Sequence, residues 1–514
     1  MDTHSTNSHL SQFPQSLWLK HSIPRYPSLT ENKTTEVGVI GGGIVGILTA
    51  YLLAKAGKKV TLIEAREMIS GVTGNTTAKI SAQHGLIYNE LMSTFGEKEA
   101  RLYYEANRDG LHMIKEISES LEIDCDFETR DATVFSTSTK GKKQIDKEAQ
   151  AYQKLHIDGT LINGQVDELP FETTAALTMP NQAQFDPVKF LAPLLKEIEK
   201  LGGEIYENTR AVKVCKGKMR VHLENEAALD CEKVVVATHY PFNDFNGLYF
   251  SKLSIERSYL LAAKVNQPVP KGMYISTESP SRSLRSARSA TGEEYLLIGG
   301  DGHQTGKRHT HTEAHYRNLE NFGKTWFDLQ EVPYHWSAQD LTTLDKVPYI
   351  GQMIHSSEHI LVATGFNKWG MAMGATASQL LTDTILNQEN DYSDLFDPLR
   401  NKLKTKDVQQ FTKKNAAVGK DFVVKHAKRP DKPAESLAID EGGLVTVNGK
   451  KVGGYRDKDG TLHVVKTTCT HMGCGLDWND AERSWDCSCH GSRFSYKGDV
   501  LDGPAVKPLE KVEE

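Results

Sequence analysis

Val37-Gly38-Val39-Ile40-Gly41-Gly42-Gly43-Ile44-Val45-Gly46 is the stretch on which the reading of the fold turns. Val37 to Ile40 read as a short buried strand, the glycines follow at once, and an apolar run to Leu53 reads as a helix that Gly57 ends. Lys59 to Ile63 form a second strand, and Glu64 stands at its end, eighteen residues after Gly46. In this βαβ register Gly41 allows the tight turn and Gly43 lets a pyrophosphate approach the backbone. Gly46 brings the helix against the strand, and the helix N-terminus faces the phosphates. Glu64 is placed to take the adenosine ribose hydroxyls. A lone G-x-G-x-x-G is a weak signal. Strand, glycines, helix, strand and acid in register make a dinucleotide site the expectation, against a purely structural turn.

The next stretch bears on which dinucleotide. Ser70-Gly71-Val72-Thr73-Gly74-Asn75-Thr76-Thr77-Ala78-Lys79 is small and hydroxyl-rich. A nicotinamide enzyme would more often run straight into the next βα unit. A loop carrying Thr73 and Thr77 suits the bulkier FAD, offering backbone and hydroxyl donors to its phosphates, although an ordinary solvated Gly/Thr turn has the same composition.

Farther on, periodicity predicts a helix around Leu102 to Leu121, a strand over Thr133 to Ser136, and a helix opened by Asp186-Pro187 and closed by Gly202-Gly203. Glu204 to Val212 read as one returning strand and Lys233 to Ala237 as another. Together these segments resemble the D-amino-acid oxidase/glycine oxidase class of FAD-dependent oxidoreductases over about 30 to 395. The later signature matches as Asp345-Lys346-Val347-Pro348-Tyr349-Ile350-Gly351, then Leu361 to Phe366 and Gly370 to Gly374. The resemblance implies that Val212 touches the adenine through its backbone. It also implies that Gly365, Gly370 and Met371 belong to a turn whose helix points at the flavin pyrimidine ring, where the positive helix end favours the anionic reduced flavin.

Substrate contacts are less legible. The family lays a sheet over the flavin, here expected within 241–337, with Glu256 to Leu260 running beside the ring. Arg257 and Tyr259 are therefore candidates, facing either the cavity or the outside. Amino-acid oxidases of this class carry an arginine for the substrate carboxylate, but Trp336-Ser337-Ala338-Gln339-Asp340 has none. A neutral amine, or a substrate held by Gln339 or Asp340, fits as well as an amino acid. His84, His239 and His303 border the expected ring position, and each reads first as a structural histidine.

A second constellation lies near the C-terminus. Cys469-Thr470-His471-Met472-Gly473-Cys474 and Cys487-Ser488-Cys489-His490-Gly491-Ser492 place two cysteine–histidine pairs on two short loops. Two thiolates and two imidazoles suit a [2Fe–2S] cluster with Cys on one iron and His on the other, at roughly −150 to +300 mV. The same side chains suit tetrahedral zinc, but zinc pairs usually keep two to four residues between the first two ligands and C-x-H has one. The segment from about 436 to 514 resembles the Rieske domain family. It includes an Asp459-Gly460 hairpin turn and Gly503-Pro504-Ala505 in place of the family's proline loop. The resemblance implies Cys469 and Cys487 on one iron, His471 and His490 on the other, and a Cys474–Cys489 disulfide. Ser492 stands where a serine hydroxyl bonds a cluster sulfide. Phe494 replaces the family's tyrosine, which implies a lower potential than in relatives that keep both hydroxyls.

At 514 residues, 25% of them charged, and a net charge of −6, the chain has room for two or three domains and no global basic field for nucleic acid. Four of the seven cysteines crowd into the last fifty residues, which argues for a metal site rather than a secreted disulfide scaffold. Neither a signal peptide nor a spanning helix is legible, so a cytoplasmic protein is expected.

The expected architecture is an N-terminal arm (1–35), an α/β FAD-binding domain of glycine oxidase type (36–395) and a small all-β Rieske domain (436–514). An α+β substrate region is inserted in the FAD domain at about 91–179 and 241–337, and a basic linker (396–435) acts as a flexible strap. The expected function is oxidation of a small amine, amino acid or related C–N or C–OH substrate at FAD. Electrons then leave singly through the cluster to a protein acceptor. Two rival readings are a reductase fed by a reduced carrier through the cluster, and a redox sensor or carrier with no dedicated substrate.

Overall fold

A computed structural model describes residues 10, 13–215, 219–242, 247–306, 311–400 and 432–512. Most of the 396–435 linker and the first nine residues of the arm lie outside these. The central layer is a six-stranded sheet in the order Tyr349–Ile354, Ser357–Thr364, Lys233–Val236, Val37–Ile40, Val60–Ile63 and Glu204–Tyr206. All neighbours pair in parallel except Tyr349–Ile354, which is antiparallel to Ser357–Thr364. Val37–Ile40 and Val60–Ile63 are buried along their whole length, as parallel strands covered on both faces must be.

The helix Ile44–Lys55 follows the glycines and is apolar around most of its circumference because it is enclosed between Pro187–Lys200 and Ala372–Leu386. Pro187–Lys200 starts at the expected cap, where the Asp186 carboxylate accepts from the N–H groups of Val188 at 2.9 Å and Lys189 at 3.0 Å.

The Glu204 to Val212 segment is not one strand. Glu204–Tyr206 joins the central sheet, Asn208 turns the chain at φ +47°, and Ala211–Cys215 enters a separate four-stranded sheet. The break is enforced by the neighbouring backbone: Glu207 N–H donates to Pro27 O and Thr209 N–H to Glu64 O, partners a continuous strand could not reach.

Both inserted regions merge into one mixed sheet, in which Leu253–Val265 lies between Glu294–Gln304 and Leu329–Thr343. The helix Glu313–Phe327 packs on one face of these strands, burying Tyr316, Leu319 and Phe327 against Tyr259 and Leu261. The arm lies over the first domain. Trp18 is buried, its indole N–H donates to Thr76 O at 2.8 Å, and the Arg285 guanidinium stacks over its ring.

The C-terminal domain consists of two antiparallel sheets, Glu441–Val447 to Leu462–Val465 and Asp477–Asn479 to Val500–Asp502. Lys432–Pro433 pairs in parallel with the edge of the first. Gly460, at φ +81°, makes the expected hairpin turn. Among the described residues, no helix is long and apolar enough to cross a membrane.

Candidate active site

A long cavity opens at the carboxyl ends of the parallel strands, where ligands bind in open α/β sheets. Gly41 lies at φ +114°, and a Cβ there would meet Ala237 O at 2.5 Å; one on Gly46 would meet Gly41 O at 1.8 Å. These two positions admit only glycine because backbone crosses backbone. Gly43 faces the cavity instead, where a Cβ would meet only the Thr73 hydroxyl, at 3.1 Å. Thr73 accepts from Ile44 N–H at 3.1 Å, tying the hydroxyl-rich loop to the helix start. The Glu64 carboxylate accepts from Gly42 N–H at 2.7 Å and Arg66 N–H at 2.9 Å, which fixes it on the cavity wall.

Thr77, Gly370 and Met371 also line the cavity. Val212 does not; the chain turn at Asn208 puts Thr209, Arg210 and Ala211 there instead. Gly365, at φ +80°, serves close packing, since a Cβ would meet Thr343 Cγ2 at 2.4 Å. A cradle that any side chain at Gly43 would narrow, beside a helix N-terminus and a held carboxylate, fits a dinucleotide such as FAD.

The mixed sheet supplies the opposite wall with Ser258, Leu260, Ser283, Ala338 and Asp340, and Lys79 and Lys368 border it. Burial pushes the Asp340 carboxyl up to about 6, although Lys368 pulls the other way. Lys79 is buried, its ammonium donates to Tyr274 O at 2.8 Å and Ser283 Oγ at 2.7 Å, and burial lowers it to about 7. Lys79 and Lys368 carried no signal in the sequence, because a lysine in a strand or turn reads as a solvated one.

The candidate histidines divide. His84 bonds Tyr103 OH and Ser81 O, stacks on Trp369, and is lowered by burial to about 3, so it is a neutral core residue. His303 is buried in a stack with His315 and Tyr259, away from the cavity. Only His239 lines it.

Arg257 and Tyr259 face the other side of the sheet and do not line the cavity. Strand alternation decides this: Ser258 and Leu260 point inward, so Arg257 and Tyr259 point out. Tyr259 packs under Tyr316. Arg257 is 2% exposed and enters a charged seam with the C-terminal domain, within 3.2 Å of Asp502 and 3.6 Å of Glu482. Arg493 joins the same carboxylates and Asp486, at 3.0 Å from Asp486 and 2.9 Å from Asp502. Against the opposing effect of burial, the carboxylates of Asp486, Asp502 and Glu482 raise Arg493, and the guanidinium groups of Arg493 and Arg257 hold Asp502 down at about 2. Gln339 lines the cavity, yet its side chain turns to this other side, donating its amide to Gly491 O at 3.0 Å and accepting from Thr305 Oγ1 at 3.2 Å.

On the cluster side the two loops fold alike. Gly473 N–H donates to Cys469 O at 2.9 Å and Gly491 N–H to Cys487 O at 3.0 Å, so each cysteine and its histidine share a tight turn. Cys469 and Cys487 are buried, and a hydrogen bond from the Cys487 thiol lowers Cys469. The rings of His471 and His490 stand perpendicular, 5.1 Å apart between centroids, and burial lowers each to about 4, leaving neutral imidazoles. Cys474 and Cys489 form a disulfide. Ser492 accepts from Ala505 N–H at 3.0 Å, which ties the Gly503-Pro504-Ala505 loop to the cluster loop. Two buried sulfurs and two neutral imidazoles converging from twin turns fit a [2Fe–2S] cluster.

His490 is 5% exposed, because Phe250 packs edge-on to it at 5.2 Å. The cluster loops therefore sit docked on the flavin domain, and Leu501 to Gly503, Ala505 and Val506 line the same cavity as the glycine loop.

A family model described as FAD dependent oxidoreductase matches residues 36–384, and one described as Rieske [2Fe-2S] domain matches 430–513. The chain is 41% identical over 510 residues, 99% of each chain, to a Bacillus subtilis protein named putative Rieske 2Fe-2S iron-sulfur protein YhfW. Glycine oxidase from Geobacillus kaustophilus shares the fold with a TM-score of 0.58 at 16% identity, over 72% of this chain and 100% of that one. L-proline dehydrogenase from P. horikoshii gives 0.58 at 20% identity, over 72% and 98%.

Proposed function

Because the chain belongs to the FAD-dependent oxidoreductase family and carries a Rieske [2Fe–2S] domain, we propose that it is a dehydrogenase of a small amine or amino compound. Its electrons leave one at a time through the cluster to a protein carrier. The observation that carries this reading is the shared cavity: residues of the cluster domain close the pocket that the dinucleotide loop opens. A cluster docked there is suited to exchange with the flavin, which an enzyme passing both electrons to oxygen would not need.

Gly41, Gly43, Thr73, Thr77, Glu64, Gly370 and Met371 would hold the FAD. Cys469, Cys487, His471 and His490 would hold the cluster. When bound, FAD removes two electrons from a C–N bond and the cluster handles one at a time. The chain's own residues bind and orient the substrate. Asp340 is the acid on the sheet wall, and its carboxylate would take the substrate ammonium. The arginines among the described lining residues, Arg66 and Arg210, stand with Glu64 and Thr209 and not on that wall, which favours an amine over a substrate gripped by its carboxylate. Lys79 borders the same wall and burial lowers it to about 7, so its neutral amine would accept the proton the ammonium must lose before its C–N bond is oxidised. The cysteine distribution supports a cytoplasmic site of action.

The test mixes anaerobic holoenzyme with amines, amino acids and 2-hydroxy acids, following flavin absorbance and the cluster EPR signal together. An amine that bleaches the flavin, with a Rieske signal growing in behind it, bears the reading out. Cluster reduction by a reduced carrier ahead of the flavin, with no compound bleaching the flavin, would reverse the direction of flow.

A further inference from the structure

We propose that Gln339 is the electronic bridge between the two cofactor sites, a positioning residue that couples the cavity wall to the iron ligand His490. This rests on the reading that the two cofactors exchange electrons within one chain. Gln339 lies on the strand Leu329–Thr343 and is itself among the residues that line the cavity, with Ala338 and Asp340. Its own side chain leaves by the opposite face of the sheet and is buried, with 2% exposed. There its amide donates to the carbonyl of Gly491, the residue bonded directly to His490. The orientation of the amide is fixed, because a carbonyl only accepts and the other end accepts from the Thr305 hydroxyl.

The backbone of Gln339 is tied to the cavity as well. His239, which lines it, donates Nε2–H to Gln339 O at 2.8 Å. One residue therefore joins the cavity wall to the cluster loop through covalent bonds and two hydrogen bonds, with no gap across solvent. The approach is built for closeness. Gly491 lies at φ +73°, and a Cβ there would meet Ile255 Cγ2 at 2.7 Å; one on Gly306 would meet Ser488 N at 2.3 Å. Two glycines at the contact let the loop carrying His490 settle on the sheet.

One electron leaves the two-electron-reduced flavin, one ferric iron of the cluster becomes ferrous, and a flavin proton is released to solvent. A soluble one-electron carrier protein reoxidises the cluster before the second electron follows. The bridge serves electron flow equally in the reverse direction.

The experiment injects electrons into anaerobic holoenzyme from a photogenerated deazaflavin radical and follows flavin and cluster absorbance as they re-equilibrate, with no substrate present. Wild type is compared with Gln339→Leu and with Gln339→Met, an unbranched side chain of similar length that cannot donate to Gly491 O. Midpoint potentials and the dipolar EPR distance between the one-electron-reduced centres are measured on each. The expected result is internal re-equilibration slowed about tenfold in both variants, at unchanged distance and potentials, the scale on which loss of a ligand's hydrogen-bonding neighbour is felt. An unchanged rate overturns the proposal. So does a slower rate with a lengthened distance, which would make Gln339 a clasp only. Failure of every amine to reduce the flavin would sink the proposed function and leave this result standing.

Discussion

The two faces of the strands Leu253–Val265 and Leu329–Thr343 carry opposite chemistry a few ångströms apart. Toward the cavity stand Ser258, Leu260, Ala338 and Asp340, small or neutral apart from one acid. Toward the cluster domain stand Arg257, Ser337 and Gln339, which meet Arg493, Glu482, Asp502 and Gly491 in a dense set of ion pairs and hydrogen bonds. A docking face must match its buried charges within the fold, because an unmatched one costs stability. A ligand face keeps a charge whose partner arrives with the substrate. The carboxyl of Asp340, raised by burial, and that of Asp502 in the C-terminal domain, lowered by two arginines, are the two outcomes on either side of these strands.

The largest expected effect breaks the cluster side outright. Cys487→Ser should abolish the Rieske EPR signal while flavin absorbance persists, since no residue of the dinucleotide loop changes; a retained signal would remove Cys487 from the ligand set. Arg257→Met comes next. It strips one of two cations from buried acids, and because Asp502 keeps Arg493, the loss should fall toward the lower end of roughly 3–5 kcal/mol. Denaturant unfolding should show the C-terminal domain melting earlier, and an unchanged midpoint would show that the Arg257 ion pairs with Asp502 and Glu482 do not hold the domain.

On the cavity face the cost should move from stability to catalysis. Asp340→Asn removes a charged hydrogen-bond partner worth about 1.5–3 kcal/mol, which is about 10–100-fold in kcat/KM for an amine, with little change in unfolding midpoint. The pH profile sharpens the point. Because burial raises this carboxyl to about 6, it is neutral below that pH, and kcat/KM should rise with pH through about 6 as the carboxylate forms. A profile in the Asn variant that keeps the same inflection would assign it elsewhere. The smallest effect belongs to Lys368→Ala. Its pair with Glu256, at 3.2 Å, is 37% and 50% exposed, so stability should change by about 0.2–1 kcal/mol at most.

What was legible followed from local spacing. Gly41, Gly43, Gly46 and Glu64 work within one βαβ unit, so their order in the chain already sets their geometry. The cluster loops are legible for the same reason, each pairing a cysteine with a histidine inside one turn. Arg257 and Tyr259 were not, because a two-residue alternation says that neighbours face opposite ways without saying which way is in. Val212 was displaced because a positive φ at Asn208 split a run whose composition is that of a strand. Lys79 and Lys368 gave no signal because their surroundings come from segments distant in the chain.

The sequence by itself determined the two cofactor chemistries and the two domain types, since each rests on backbone and side-chain spacing within a few tens of residues. Only the tertiary structure decided that the cluster loops dock on the flavin domain, with Gln339 reaching Gly491 across 152 positions of chain. Contacts of that range depend on which faces two separately folded domains present to each other, and burial, not local spacing, selects those faces.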